Sequence, residues 1–590
     1  MQPSAAEGKS RHSKNIVLAL VLSLIISAFT AVGYFCDASL NGARSTGTVL
    51  VLAVLTFMVS FVVLRALPRV ALKAVDASDR AISRMLHRAP RRVLGLASRH
   101  RFAFYFLVIS LCWLPYLIVF FPGVFMYDST WELFQTLGSG SLYMGRPDDT
   151  ISTELISDHK PVLHAFIVGM LFRIGSTLGS QTLGIFLITL VQFICMAASF
   201  AFALLYCHRL ASSLTLQLLG LLFLGVFPLF PFYSISAFND CLALCAFLMW
   251  LIFVIESVRT RGQVLADGKF FFGMIAFATL SVFLKKPNVY IVFASLIIIA
   301  LVYRKHFIHY LVQALVPSVL CLVVAPTLIY PVLHISSGDK GEMLGMLFQQ
   351  TTYYSLKHED QLSSEDKATI DKVFNLEGAQ SGYNPTTFDP VKYYYQRNAT
   401  TSDIIDYLAL WVRQGIHDPL GYFIAAAYVQ YPYVYPSMAI DFYDAPYKDM
   451  SDAVAQGNRY SSQGKTDAVN ELLDYAAPNT LAGIRSATFN ALVSIETVPA
   501  LLPLLSIAIY ATWIPLTLLY LICSTRPKRR LLLGLIPIML SILVLTISPV
   551  VMVRYAFPVI GAIPIMSALA LSNADRNPRS KKSVLPNARH

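Results

Sequence analysis

Long apolar runs broken by short polar segments set the organisation of this chain. Runs at 15–35, 48–67, 102–120, 182–206, 214–232, 241–256, 270–284, 289–303, 311–333, 498–523, 531–549 and 551–571 approach the ~20 residues that a helix needs to cross a bilayer. They predict about twelve transmembrane helices. A further run, 161–175, is interrupted by His164 and Arg173 and is barely long enough to span. It is expected to lie along the outer surface with its apolar face in lipid. The long polar stretch 334–497 is large enough to fold as a small domain. Within it 343–356 and 364–374 read as helices, the second with Ser363 or Ser364 as N-cap and acidic residues in its first turn. From 383 to 460 tyrosines crowd the sequence, which suits packing at a membrane surface and, as a second reading, contact with sugar rings.

Composition agrees with a polytopic membrane protein. Of 590 residues, 56% are hydrophobic and 14% charged, against about a quarter charged in a soluble chain. The net charge of +12 does not point to nucleic acid, because the basic residues cluster between apolar runs as in cytoplasmic loops. Such clusters are Lys9, Arg11 and Lys14 at the start, the stretch 68–101, Arg209, Arg259 with Arg261, Arg304 with Lys305, Arg526 with Lys528 to Arg530, and the C-terminal tail. Both termini are therefore expected in the cytoplasm. The stretch 68–101 also has the spacing of an amphipathic helix on anionic lipid. Segment 334–497 holds twenty acidic and eleven basic side chains, nine negative charges overall, while the remainder carries twenty-one positive. That asymmetry fits an extracytoplasmic position. The eight cysteines lie in or beside apolar runs, so no disulfide framework is indicated.

The expected fold class is thus an all-α polytopic membrane protein with an extracytoplasmic α-rich domain. Its parts are 1–101, two helices and a basic loop; 102–333, a transmembrane core with a first external loop at 122–181; 334–497, the external domain; and 498–590, the last helices and a basic tail.

Few acidic residues fall elsewhere outside the presumed inner loops, and Asp128, Glu132, Asp158 and Asp240 all map to outer ends of spans. Asp128 and Glu132 are four apart and share a helix face. Such a pair can divide acid and base roles or hold a divalent cation. The plainer reading is that they solvate or cap a surface helix, and Asp240 reads equally well as an N-cap. Lys285, Lys286 and Arg554 with Tyr555 are cations at the outer face, against the positive-inside rule. They suggest an anionic partner such as a lipid phosphate, with snorkelling to ordinary head groups as the alternative.

An emergent aspartate at Asp128, Asp158-His159-Lys160-Pro161 opening a surface helix, Asn239-Asp240, Lys285-Lys286-Pro287-Asn288 and Arg554-Tyr555-Ala556-Phe557-Pro558 occur in an order that resembles the GT-C superfamily of membrane glycosyltransferases. Gln349-Gln350, Asp389-Pro-Val-Lys392 and Ser548-Pro549 belong to the same pattern, which covers most of 102–571 and is similar to an uncharacterised bacterial branch. The resemblance implies inverting transfer of a sugar from a polyprenyl-phosphate donor to a glycan, lipid or protein acceptor outside the cytoplasm. It implies Asp128 as general base or metal ligand (Mg2+ or Mn2+), and Lys285, Lys286, Arg554 and Tyr555 on the donor-phosphate side. Glu132, Asp158, His159 and Asp240 take supporting or acceptor-side places. Two departures stand out: Ser129 follows Asp128 where relatives often have a second acidic residue, and Asn239 stands where a lysine is common. The rival classes are a transporter or lipid flippase, which would show charges in mid-span and repeated halves, and a non-catalytic envelope assembly factor.

Overall fold

The computed structural model describes residues 5–42, 46–86, 99–124, 127–136, 156–336, 338, 340–440, 479–524 and 526–571. The protein is an all-α membrane protein. Among the described residues seven helices are long and apolar enough to cross a bilayer: Asn15–Leu40, Thr46–Met85, Arg101–Val119, Gln181–Leu210, Asn239–Arg259, Arg304–Val332 and Val553–Leu571. Shorter apolar helices accompany them at Val162–Thr177, Leu214–Gly225, Gly268–Leu284, Asn288–Val302, Ile509–Ser524 and Arg530–Leu545. The expected C-terminal tail, the basic residues of 87–98 and the tyrosine-rich part beyond 440 lie outside the described residues.

Along the first half of the chain run α1 (Ala5–Leu40), α2 (Thr46–Leu86), α3 (Arg101–Val119), α4 (Tyr127–Thr136), α5 (Val162–Thr177), α6 (Gln181–Leu210), α7 (Leu214–Gly225), α8 (Asn239–Arg259), α9 (Gly268–Leu284) and α10 (Asn288–Val302). Helix α2 corrects one sequence expectation. The stretch read as a loop from residue 68 stays helical to Leu86, passing through Pro68. Proline removes one backbone donor, but the alanine-, leucine-, arginine- and lysine-rich sequence after it favours helix. The extension is pinned by Asp79, whose Oδ1 accepts from Ser213 Oγ at 2.9 Å, Thr215 N at 2.8 Å and Thr215 Oγ1 at 2.7 Å at the start of α7.

Helix α8 is the axis of the core, with Cys241, Leu244, Phe247, Trp250, Leu251, Val254 and Ile255 all buried. A helix apolar all round is stable only when surrounded. Around it pack α6, α9 and the last apolar helices of the chain. Among the lipid-facing helices, α2 leaves Leu50, Val54, Met58 and Val62 exposed.

Two irregular connections at one end of this bundle bring separate spans together. After α3 the chain turns at Gly123 (φ 144°), where a Cβ would meet Thr189 Oγ1 at 1.9 Å, so only glycine fits. Val124 then bonds strand-like to the turn before α8, its N to Ile235 O at 3.0 Å and Ala237 N to its own O at 3.1 Å. Buried irregular backbone needs internal partners. Gln192 of α6 supplies them: Nε2 donates to Tyr233 O at 2.8 Å and Oε1 accepts from Phe238 N at 3.1 Å.

The stretch from 341 to 433 is helical and has its own small core, with Phe348, Phe374, Val391, Tyr407 and Leu410 buried. The rings of Phe348 and Phe374 meet at a tilt of 31° with centroids 4.3 Å apart. Its helices include the two expected, Gly341–Lys357 and Ser364–Asp371, and Ser363 is the N-cap, accepting from Asp366 N. Tyr395 and Tyr407 are buried in that core. Strand β1 (Ile156–Ser157) pairs in parallel with β2 (Ile335–Ser336), joining the first loop to the entry of this segment. The segment also docks on the last spans: Phe388 N and Thr387 Oγ1 donate to Pro549 O at 3.0 and 3.1 Å, and Gln430 Nε2 donates to Ser548 O at 2.5 Å.

Candidate functional site

The four carboxylates singled out in the sequence come to the same end of the bundle, two of them, Asp128 and Asp240, in one charged cluster. Asp128, in the first turn of α4, is held by Lys160 Nζ at Oδ1 (2.7 Å) and by Arg554 Nη1 at Oδ2 (2.5 Å). Arg554 Nη1 also lies 3.5 Å from Asp240 Oδ2, and Lys285 Nζ lies 2.5 Å from Asp240 Oδ1. Three cations therefore surround two carboxylates, an excess of one positive charge. Asp240 and Arg554 are buried, so the desolvation cost of each charge is offset only by its partners. Burial by itself would push the Asp128 carboxyl up. The charges and hydrogen bonds of Lys160 and Arg554 outweigh it and hold the group well below the usual carboxylate range.

Local structure aims these side chains. Asn239 Nδ2 donates to Leu284 O at 3.0 Å, and Asn288 Nδ2 donates to Ser281 Oγ at 2.9 Å, which together fix the turn carrying Lys285. Aromatic rings back the cations: Tyr555 lies 5.1 Å from Lys285 Nζ and Phe238 lies 4.7 Å from Arg554 Cζ, distances at which a ring face attracts a cation. The N-cap reading of Asp240 does not hold. The N-cap of α8 is Phe238, without a side-chain cap bond, and the Asp240 carboxylate turns to Lys285 and Arg554 instead. A carboxylate accepts more strongly from cationic donors than from neutral backbone N–H groups.

Lys286 departs from the expected grouping. It pairs with Asp158 Oδ2 at 2.7 Å, apart from the Arg554 cluster. Asp158 is itself fastened to the start of the 334–440 segment, its N to Ser336 O at 2.9 Å and its Oδ1 accepting from Gly338 N. A third group belongs to that segment: Lys392 bridges Glu342 Oε2 at 2.8 Å and Asp389 Oδ1 at 2.7 Å, while His159 Nδ1 is 3.9 Å from Glu342 Oε1. Burial would lower the Lys392 ammonium; Asp389 and Glu342 more than offset it and hold it above its ordinary value.

Glu132 overturns the solvated-surface reading. It and His164 of α5 are each 1% exposed, with Glu132 Oε2 and His164 Nδ1 2.5 Å apart. Its other oxygen, Oε1, is buried without a hydrogen-bond partner among the described residues. Burial, reinforced by the nearby Asp128 charge, raises the Glu132 carboxyl against the opposing effect of His164. Asp128 and Glu132 thus share a helix face but are committed to different partners. Among the described residues no group of three or more His, Cys, Asp or Glu side chains gathers. The expected carboxylate pair does not converge on one point here: Asp128 faces Lys160 and Arg554, and Glu132 faces His164.

Sequence reasoning missed four members of the site. Lys160 and Lys392 stood inside quoted motifs without a role, His164 was visible only as a polar break in an apolar run, and Glu342 gave no signal among twenty acidic residues of its segment.

The fold and the paired charges define a polytopic α-helical membrane protein with an ion-paired cluster at one end of its bundle. The chain belongs to the DUF6020 family, a family of unknown function whose model matches residues 7–584. No curated protein matches it.

Proposed function

We propose that the protein is a GT-C-type membrane glycosyltransferase that moves a sugar from a polyprenyl-phosphate donor to an acceptor hydroxyl outside the cytoplasm. In this reading twelve helices span the membrane, both termini are cytoplasmic, α5 lies along the outer surface and 334–497 faces outward. The observation that carries the reading is Asp128 at the emergent end of a span, clamped between Lys160 and Arg554 in a cluster with one excess positive charge.

In the proposed step the acceptor oxygen bonds to the anomeric carbon as the bond from that carbon to the phosphate oxygen breaks. The acceptor proton goes to Asp128, and the electron pair leaves with the lipid phosphate, where Lys285 and Arg554 offset its charge. A carboxylate held by two cations is a weak base. A donor phosphate that draws Arg554 toward itself relaxes that hold, so donor binding prepares Asp128 for the acceptor. No step runs through a metal.

The test uses purified protein, polyprenyl-phosphate sugars and a panel of glycan, lipid and protein acceptors. Product with an inverted anomeric bond, lost in Asp128→Asn, is the expected result. Lipid translocation without any glycosidic bond would replace this reading with a flippase.

A further inference from the structure

We propose that the Asp240 carboxylate is a resident stand-in for a phosphate: it occupies the seat between Lys285 and Arg554, and an incoming phosphate displaces it. The inference rests on the reading above, in which these two cations meet the donor phosphate.

The geometry is that of one anion bridging two cations, Oδ1 toward Lys285 and Oδ2 toward Arg554. The two sides are unequal. At 2.5 Å the lysine contact is tight, whereas 3.5 Å is long against the ~2.8 Å of a charge-assisted hydrogen bond. Arg554 also donates from Nε and Nη2 to Met552 Sδ at 3.3 and 3.2 Å, and a thioether is a weak acceptor. Arg554 Nη1 is already paired with Asp128 at 2.5 Å, and the donors that meet the sulfur gain by turning to phosphate oxygens, which match the guanidinium fork.

Charge and support point the same way. With three cations to two carboxylates the cluster has room for a further negative charge. The rings of Phe238 and Tyr555 also hold these cations, so the seat keeps that support when Asp240 leaves it. Asp240 lies in the first turn of α8, and a carboxylate released from Lys285 is still favoured beside a helix N-terminus. Competition from Asp240 also weakens the hold on the spent lipid phosphate, which lets product leave.

The experiment measures binding of two probes, a short-chain polyprenyl phosphate and inorganic phosphate, to the full chain in detergent. Proteins compared are the unmodified chain, Asp240→Asn, Asp240→Ser, Arg554→Gln, and Asp418→Asn as a carboxylate removed outside the cluster; each is first checked for a cooperative thermal transition. Removing a competing carboxylate is expected to tighten both probes about tenfold, the scale of one charged hydrogen bond, in either Asp240 variant that folds. Asp418→Asn should leave both unchanged. Unchanged or weaker binding in the folded Asp240 variants, with binding to the unmodified chain lost in Arg554→Gln, overturns the stand-in role and leaves the phosphate reading standing. Tightening of the lipid probe alone also overturns it, because the displaced charge is that of the phosphate. Absence of binding to every protein that retains Arg554 rejects the phosphate reading and this inference together.

Discussion

Arg554 Nη1 donates to Asp128 Oδ2 at 2.5 Å across 426 residues of sequence. The contact ties the first loop after α3 to the start of the last apolar helix, and it joins two carboxylate-bearing turns that share this cation, those of Asp128 and Asp240. Replacing Arg554 with Gln removes the bridge and turns the excess positive charge into balance. Donor binding is expected to weaken by about 1.5–3 kcal/mol, the worth of a hydrogen bond to a charged group, with acceptor binding little changed. Separate titrations of lipid donor and acceptor check this; equal losses for both would reject it.

Asp128→Asn keeps size and removes the negative charge. If Asp128 takes the acceptor proton, turnover should fall on the order of a hundredfold to ten-thousandfold while donor affinity holds. Single-turnover sugar transfer separates the two quantities, and full activity in this variant would end the assignment.

Glu132 and His164 give a stability prediction in place of a catalytic one. Both are buried against each other, so Glu132→Ala leaves the imidazole without its partner and opens a small cavity. The protein should lose about 1–3 kcal/mol, seen as a lower thermal midpoint in detergent. Glu132→Gln, which retains a hydrogen-bonding oxygen, should lose less.

Asp418 predicts an acid limb of stability. Burial pushes its carboxyl up, but hydrogen bonds from Lys357 Nζ, His358 Nε2 and Gly421 N prevail and bring it from 3.8 to about 2. The folded value lies below the unfolded one, so the contribution is complete above about pH 4 and is lost as pH falls toward 2. Asp418→Asn should lower stability at neutral pH and flatten the fall within that window. A thermal-midpoint series against pH reads both; parallel curves for the two proteins would contradict the assignment.

Topology is tested by single cysteines at Ser78 and Ser381 in a background without native cysteines. Ser381, exposed in the 334–440 segment, should react with an impermeant thiol reagent on intact cells, and Ser78 on the α2 extension should not. The opposite labelling would move the charged cluster to the cytoplasmic side.

What the sequence determined by itself was the membrane class and the rough place of each apolar helix, because desolvation acts on every residue of a span and adds up along a local run. It also marked Asp128, Asp240, Lys285 and Arg554, since charges at span ends are few enough to stand out. Partnership was decided only in three dimensions. Whether Asp240 caps α8 or faces Lys285 depends on a turn fixed by Asn239 and Asn288. Whether Glu132 is wet or dry depends on α5 laying His164 over it, and that contact spans 32 residues, much of them outside any apolar pattern. Ion pairs between distant elements leave no period in the chain, because their energy belongs to a distance and a local dielectric rather than to a residue type. The tertiary structure therefore decided that Lys286 joins Asp158 and that Lys160 and Arg554 share Asp128.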